Sequence, residues 1–282
     1  MTVGIIGLGL IGGSMAKAVK FNTGNKVLGW DISDTVRYRA KLVGAVEEFL
    51  DEGDPGDCDI VIIALYPKQT LEYIQSHKQD FKQGSIVVDC CGIKTDICET
   101  VLPIAHECGF SFVGGHPMAG IERSGFAFSN PDMFKGATMI LTPEKGADLT
   151  MMNDLSFFFK SLGFGRLQIT TWQEHDQMIA YTSQLAHVVS SAYIKNDLSY
   201  KYKGFSAGSF QDMTRVAKLN EVMWTELFME NREYLAVEVR HLMERLGLYL
   251  EAIDKSDAEG MKQLLKEGKE KRLSIEEEPE FD

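Results

Sequence analysis

Near the N-terminus the chain reads "GIIGLGLIGGS", residues 4–14. It sets Gly7, Gly9 and Gly12 at GxGxxG spacing, with Leu8, Leu10 and Ile11 between them. The string by itself is weak evidence. Its flanks strengthen it: "TVGIIG" (2–7) is a short apolar run that reads as a strand, and "IGGSMAKAVKF" (11–21) reads as a helix. A dinucleotide-binding turn needs that context. The first glycine makes the turn, the second lets a pyrophosphate approach the backbone, and the third lets helix pack on strand. The helix N-terminus then offers free N–H groups to the phosphates. The alternative is a glycine-rich turn with no ligand.

A carboxylate follows where such a turn would need one. Asp31 ends a second strand, "KVLGWD" (26–31), about 20 residues past the glycines, where an acid accepts hydrogen bonds from ribose hydroxyls. It would repel a 2′-phosphate, and Ile32, Ser33 and Asp34 supply no arginine. The reading is therefore NAD over NADP; a helix-capping role for Asp31 is the alternative.

Outward from the glycines, strand and helix alternate. Strands are expected over "DIVIIAL" (59–65), "SIVVDC" (85–90) and "FSFVGG" (110–115), with helices over 35–44, 68–81 and 94–108. Near-continuous apolar runs mark strands buried on both faces, hence a doubly wound α/β sheet of Rossmann type. A last β-type pair, 137–142 and 166–171, flanks a helix over 149–162. From 173 to about 268 only helical spacing remains, with long helices expected over 175–198 and 223–253. Apolar-rich helices of that length suggest a subunit interface. The expected domains are 1–171, binding NAD, and 172–282, all-helical, for substrate and dimerisation, with a disordered acidic tail from about 274.

Composition limits the partners. The chain of 282 residues carries 29 basic and 41 acidic side chains, a net charge of −12. That argues against wrapping nucleic acid and disfavours an anionic membrane surface. An anionic small substrate would need local cations. No apolar run is long enough to span a bilayer. Five cysteines, with no disulfide-like framework or CxxC pair, read as reduced thiols in a cytoplasmic protein, and no metal site is expected.

A second motif, "GGHPMAGIERSG" (114–125), holds His116 between a glycine pair and a proline at the edge where open parallel sheets bind ligands. A neutral imidazole there could take a hydroxyl proton while hydride leaves the same carbon; a loop histidine satisfied by local backbone is the alternative. The helical half offers partners. Ser183 and His187 lie four apart, Asp212 and Arg215 three apart, and Trp224 follows. An arginine facing a cofactor cleft can grip a carboxylate with two hydrogen bonds, although Asp–Arg at this spacing is commonly a helix salt bridge.

Together "GLGLIGGS", "DCCGIK" (89–94), "GGHPMAGIERSG", "EHD…SQLAH" and "FQDMTRVA…MW" resemble the prephenate/arogenate dehydrogenase family of tyrosine biosynthesis, over nearly the whole chain. The resemblance implies an NAD-dependent oxidative decarboxylation of prephenate, with arogenate or a 3-hydroxyacid-type substrate as alternatives, in a homodimer. It assigns His116 as the catalytic histidine, hydrogen-bonding the substrate's ring hydroxyl, and Glu122 as a carboxylate near the cleft that either supports the site from behind or gates it. It turns His187 to the substrate's side chain and gives Arg215 a substrate carboxylate. Asp212 would hold the site together, Trp224 and Ser183 would lie nearby, and His175 and Asp176 would order the domain junction. Prephenate is preferred on the expectation that no mutase precedes Met1 and no regulatory domain follows the helices; tyrosine is expected to act, if at all, at the active site. Two departures stand out. Gly92 occupies a place where family members often carry serine, and Gln184 and Ala186 stand where a histidine and a proline are usual.

Overall fold

The structure, a computed structural model, describes residues 1–121 and 123–277. The chain divides by packing into two compact units, Met1–Arg232 and Glu233–Asp282.

The first unit is built on eight strands: β1 (Thr2–Ile6), β2 (Lys26–Trp30), β3 (Glu48–Phe49), β4 (Ile60–Ile63), β5 (Ile86–Asp89), β6 (Ser111–Pro117), β7 (Thr138–Thr142) and β8 (Arg166–Ile169). Between them run α1 (Leu10–Asn22), α2 (Asp34–Leu42), α3 (Pro67–His77), α4 (Thr95–Cys108) and α5 (Leu149–Ser161). The strand order is β3-β2-β1-β4-β5-β6-β7-β8. β1 pairs in parallel with β2 on one side and with β4 on the other. The order therefore reverses at the β1–β4 junction, and the crevice past the carboxyl ends of those strands is where this architecture binds ligands.

The side-chain period of two is visible in the core. Ile5, Ile60 and Ile62 pack on one face of the sheet, while Ile6, Val61 and Ile63 pack on the other. Both faces are covered, which is why β4 reads as an unbroken apolar run. All five cysteines are free thiols. Burial, with lesser help from nearby carboxylates, pushes the Cys58 thiol up to about 12. Burial also lifts Cys98 to about 12, with Lys94 opposing it.

Several expectations are corrected. The two-residue edge strand β3 was too short to show a pattern. β6 continues through Pro117, so His116 lies in the strand rather than beyond it. β7 runs antiparallel to β6, with His116 opposite Ile140. The helix expected over 175–198 is α6 (Trp172–Ile179), a π-helical turn over Ala180–Gln184, and α7 (Leu185–Ile194). After α8 (Gly208–Thr214) come α9 (Glu221–Glu230) and α10 (Arg232–Asp254), so the helix expected over 223–253 breaks at Asn231. There the Asn231 amide turns inward to donate to Asp176 O and Gln184 Oε1.

The second unit consists of most of α10 and of α11 (Ala258–Glu277). Helix α11 takes in residues 274–277, expected to be disordered; Arg272 and Glu276, four apart, form an ion pair on it. The remainder of that expectation, 278–282, lies outside the described residues. Met243, Leu246, Leu250 and Ile253 recur at helical spacing along α10, each more than half exposed. Among the described residues no helix is long and apolar enough to cross a membrane.

Candidate active site

The glycine turn has the division of labour its spacing implies. Gly7 sits at φ +84°, and a Cβ there would lie 2.6 Å from the Ala64 carbonyl oxygen. A Cβ at Gly12 would lie 1.8 Å from the Gly7 carbonyl oxygen, so helix and turn meet only because that position is bare. Gly9 is different: nothing stands within 4 Å of its would-be Cβ. Gly9 is also the N-cap of α1 and makes no side-chain cap, which leaves the first helical N–H groups at Leu10, Ile11 and Gly12 open to an anion. Leu8 donates its N–H to Asp31 Oδ2 at 2.9 Å, and Ser33 donates to Asp31 Oδ1 at 2.9 Å. The cap of α2 is Ser33, not Asp31. Asp31 therefore anchors the glycine turn, and each of its oxygens keeps acceptor capacity. These residues fit a dinucleotide: an open backbone cradle, an uncapped helix start and a carboxylate at the end of β2.

The second motif is built from close packing. A Cβ at Gly115 would lie 2.4 Å from the Asp89 carbonyl oxygen, and one at Gly114 would lie 2.3 Å from Thr142 Oγ1. The glycine pair thus lets β6 lie tight against its neighbours. Gly115 N–H donates to Asp89 Oδ1 at 3.1 Å, and the other Asp89 oxygen is paired with the buried Lys94 ammonium. The next residue, His116, is held by strand pairing on a fixed floor.

The partner of His116 is a histidine 59 residues away. His116 Nδ1 lies 2.9 Å from His175 Nε2, and the rings meet edge to face at 64°. His175 Nδ1 lies 2.7 Å from Asp176 Oδ1. Asp176 also accepts the N–H groups of Lys94 and Thr95, at 2.8 and 2.7 Å, at the start of α4. Burial, the neighbouring His175 and the Lys94 cation, in that order, hold the His116 imidazole well below the ordinary histidine value. His175 is also lowered, by burial working against its bond to Asp176. Burial raises Asp176, but its bonds from His175 and Thr95 outweigh that and keep it below the usual carboxylate range. At neutral pH the cluster is two neutral imidazoles ending on a carboxylate. The other ring nitrogen of His116, Nε2, lies 3.8 Å from the would-be Cβ of Gly92. Gly92 follows β5, on the same sheet edge as the glycine turn after β1.

Comparison with known proteins fits this geometry. Residues 15–166 match the prephenate dehydrogenase nucleotide-binding domain, and residues 171–267 match the prephenate dehydrogenase dimerization domain. The chain belongs to the prephenate dehydrogenase family. It is 29% identical over 283 residues to a prephenate dehydrogenase of Bacillus subtilis (strain 168), across 96% of this chain and 75% of that one. It is 27% identical to a cyclohexadienyl dehydrogenase of Zymomonas mobilis, across 97% of this chain and 95% of that one. The crystal structure of the A. aeolicus prephenate dehydrogenase in complex with hydroxyphenyl propionate and NAD+ superposes with a TM-score of 0.85 at 27% identity, covering 98% of each chain.

In the helical part of the first unit the family motifs converge only in part. His187 on α7 packs against Trp224 of α9, centroids 3.9 Å apart with the rings tilted by 48°, and its Nδ1 lies 3.2 Å from Val216 O. Val216 is the neighbour of Arg215, so His187, Trp224 and the Arg215 turn form one patch. Arg215 and Asp212 are exposed, and Ser183 lies half-buried in the π-helical turn. Glu122 lies outside the described residues. Gln184, a departure from the family string, is buried; its amide donates to Leu227 O at 3.1 Å and its carbonyl accepts from Asn231. Leu227 in turn lies 3.6 Å from the would-be Cβ of Gly92. Gln184 and Asn231 thus brace α9 beside the histidine.

Sequence reasoning placed His175 and Asp176 at a junction and did not pair them with His116. The signal available was "TWQEHD" (171–176): Thr171 caps α6 and accepts the Glu174 N–H. That cap fixes where the helix starts, but not what its first turn faces.

Proposed function

We propose that this chain is an NAD-dependent prephenate dehydrogenase, which oxidises and decarboxylates prephenate to 4-hydroxyphenylpyruvate and CO2 with formation of NADH, in tyrosine biosynthesis. The observation that carries the reading is His116: a neutral imidazole, anchored through Nδ1, with Nε2 toward Gly92 at the edge that holds the dinucleotide cradle. Gly7, Gly9 and Gly12 with Asp31 would hold NAD, whose nicotinamide supplies a hydride acceptor when bound.

His116 Nε2 accepts the proton of the ring hydroxyl as that carbon is oxidised. The ring carboxylate leaves as CO2, and the ring becomes aromatic, which makes the step irreversible. Arg215 holds a substrate carboxylate in this reading. That answers a charge problem, since a chain of net charge −12 needs a local cation to bind a dianion. His187 and Trp224 form the wall beside it. Gly92 leaves room for substrate or a water next to Nε2, where a serine would supply its own hydroxyl.

The first domain is read as 1–171 and the helical one as 172–282. The exposed apolar stripe of α10, in the part of the chain that matches a dimerization domain, supports a homodimer. Free cysteines support a cytoplasmic location, and tyrosine, whose ring resembles the substrate's, is read as a competitor at the active site.

NADH formation followed at 340 nm with purified protein tests the assignment, using prephenate and arogenate each with NAD+ and NADP+. Turnover with prephenate and NAD+ is expected. Turnover with arogenate alone would move the substrate, and silence in all four with NAD still bound would overturn the reading.

A further inference from the structure

We propose that His175 and Asp176 are positioning residues that fix His116 as the Nδ1-protonated tautomer, leaving Nε2 bare toward Gly92. The inference rests on the reading of His116 as the proton acceptor.

The chain of hydrogen bonds runs inward from Asp176. Its carboxylate accepts two backbone N–H groups, from Lys94 and Thr95, one on each oxygen; they favour the ionised form, which has lone pairs to spare and no proton to donate. The short contact from His175 Nδ1 at 2.7 Å must then be an N–H donated to Asp176 Oδ1. A neutral imidazole carries one ring proton, so His175 Nε2 is an acceptor. The 2.9 Å contact with His116 Nδ1 is then an N–H donated by His116. His116 has one proton as well, and it is committed. Its Nε2 lone pair is free, and it is the nitrogen that lies toward Gly92.

Without this chain, an imidazole offered no acceptor at Nδ1 would populate both tautomers, and the form protonated at Nε2 cannot take a proton there. When Nε2 does accept the hydroxyl proton, the imidazolium keeps its Nδ1–H on His175, and its charge faces the Asp176 carboxylate through one neutral ring. The Asp89–Lys94 pair nearby is internally neutralised, so Asp176 is the unpaired negative group of the cluster. The backbone bonds from α4 make the chain stiff: Asp176 cannot rotate without giving up two N–H donors.

The test has two arms. Nitrogen-15 NMR of the histidine rings in the parent protein, without substrate and near neutral pH, is expected to show His116 protonated at Nδ1 and bare at Nε2. A proton on Nε2 would overturn the inference. In the second arm His175→Leu, which removes the acceptor, is expected to lose about 10²-fold in kcat with little change in KM. His175→Gln, whose Oε1 can still accept from Nδ1, is expected to stay within about tenfold of the parent. Equal losses in both, with matched thermal midpoints, would mean a structural role alone and would overturn it. The two readings separate cleanly. If His116→Asn is silent yet Nε2 carries the proton in the parent, the base assignment stands and the tautomer claim fails. If His116→Asn keeps full turnover, the base assignment fails and takes this inference with it.

Discussion

The glycine turn and the histidine cluster sit on the same sheet edge, yet they are assembled in opposite ways. The turn draws on six consecutive residues, 7–12, and on Asp31 at the end of the next strand. The cluster draws on Gly92, His116, His175 and Asp176, braced by Gln184 and Asn231, from five elements or loops spread over most of the first unit. A local motif can be read from its spacing, because backbone geometry alone imposes it. A cluster closed by tertiary contacts leaves each of its residues locally ordinary. It follows that the turn should fail through backbone sterics and the cluster through proton placement.

The largest effect should come from Gly12→Ala. Its Cβ would lie 1.8 Å from a carbonyl oxygen, so α1 must shift off β1, at a cost above about 4 kcal/mol in urea denaturation. Gly9→Ala sharpens the contrast inside the same turn. Its Cβ meets nothing, so stability should stay within about 0.5 kcal/mol of the parent. Its affinity for NAD+ by calorimetry should nonetheless fall by about tenfold or more, because the methyl occupies the pyrophosphate's approach. Equal stability losses at both positions would erase the distinction.

Next in size, Arg215→Ala should raise KM for prephenate by about 10- to 100-fold with a smaller fall in kcat, since a carboxylate grip serves ground and transition states alike. A fall confined to kcat would place Arg215 in the chemistry instead.

The smallest effect concerns Glu230, at the end of α9. Burial raises its carboxyl to about 7, with Glu226, Asp96 and Asp176 adding to the rise, and its Oε2 is buried without a hydrogen-bond partner. The folded protein thus holds this proton more tightly than the unfolded chain does. Stability falls as pH rises from the ordinary glutamate value through about 7. Glu230→Gln should therefore stabilise the protein at pH 8 by on the order of 1 kcal/mol, allowing for the solvent that screens this half-buried group. The gain should vanish near pH 5. Thermal melts at the two pH values check this, and a gain independent of pH would break the account.

The same contrast explains what the sequence made legible. The parallel strands were readable because β4 and its neighbours are buried on both faces and spell unbroken apolar runs. Gly7, Gly9 and Gly12 were readable because their spacing is fixed by separate needs: Gly7 and Gly12 by backbone packing, and Gly9 by the open approach a phosphate requires. β3 was not, because two residues carry no period. The break at Asn231 was not, because the apolar spacing of α9 and α10 continues across it and only the inward turn of one amide interrupts the helix. His116 drew attention through the glycines and proline around it, but its link to His175 was invisible: 59 residues separate them, and α6 looks the same whether its first turn faces solvent or another imidazole. The resemblance to a known family supplied His187, Arg215 and Trp224 as site residues; spacing alone left the Asp212–Arg215 pair indistinguishable from a surface salt bridge.

The role of His116 as proton acceptor stands or falls on the turnover of His116→Asn with prephenate and NAD+, beside the parent, in preparations whose NAD+ affinity is measured first. The account predicts unchanged NAD+ affinity and a kcat lower by about 10²- to 10⁴-fold. A variant that binds NAD+ equally well and turns over at the parent rate would show that the proton leaves by another route, and the histidine cluster would lose its function.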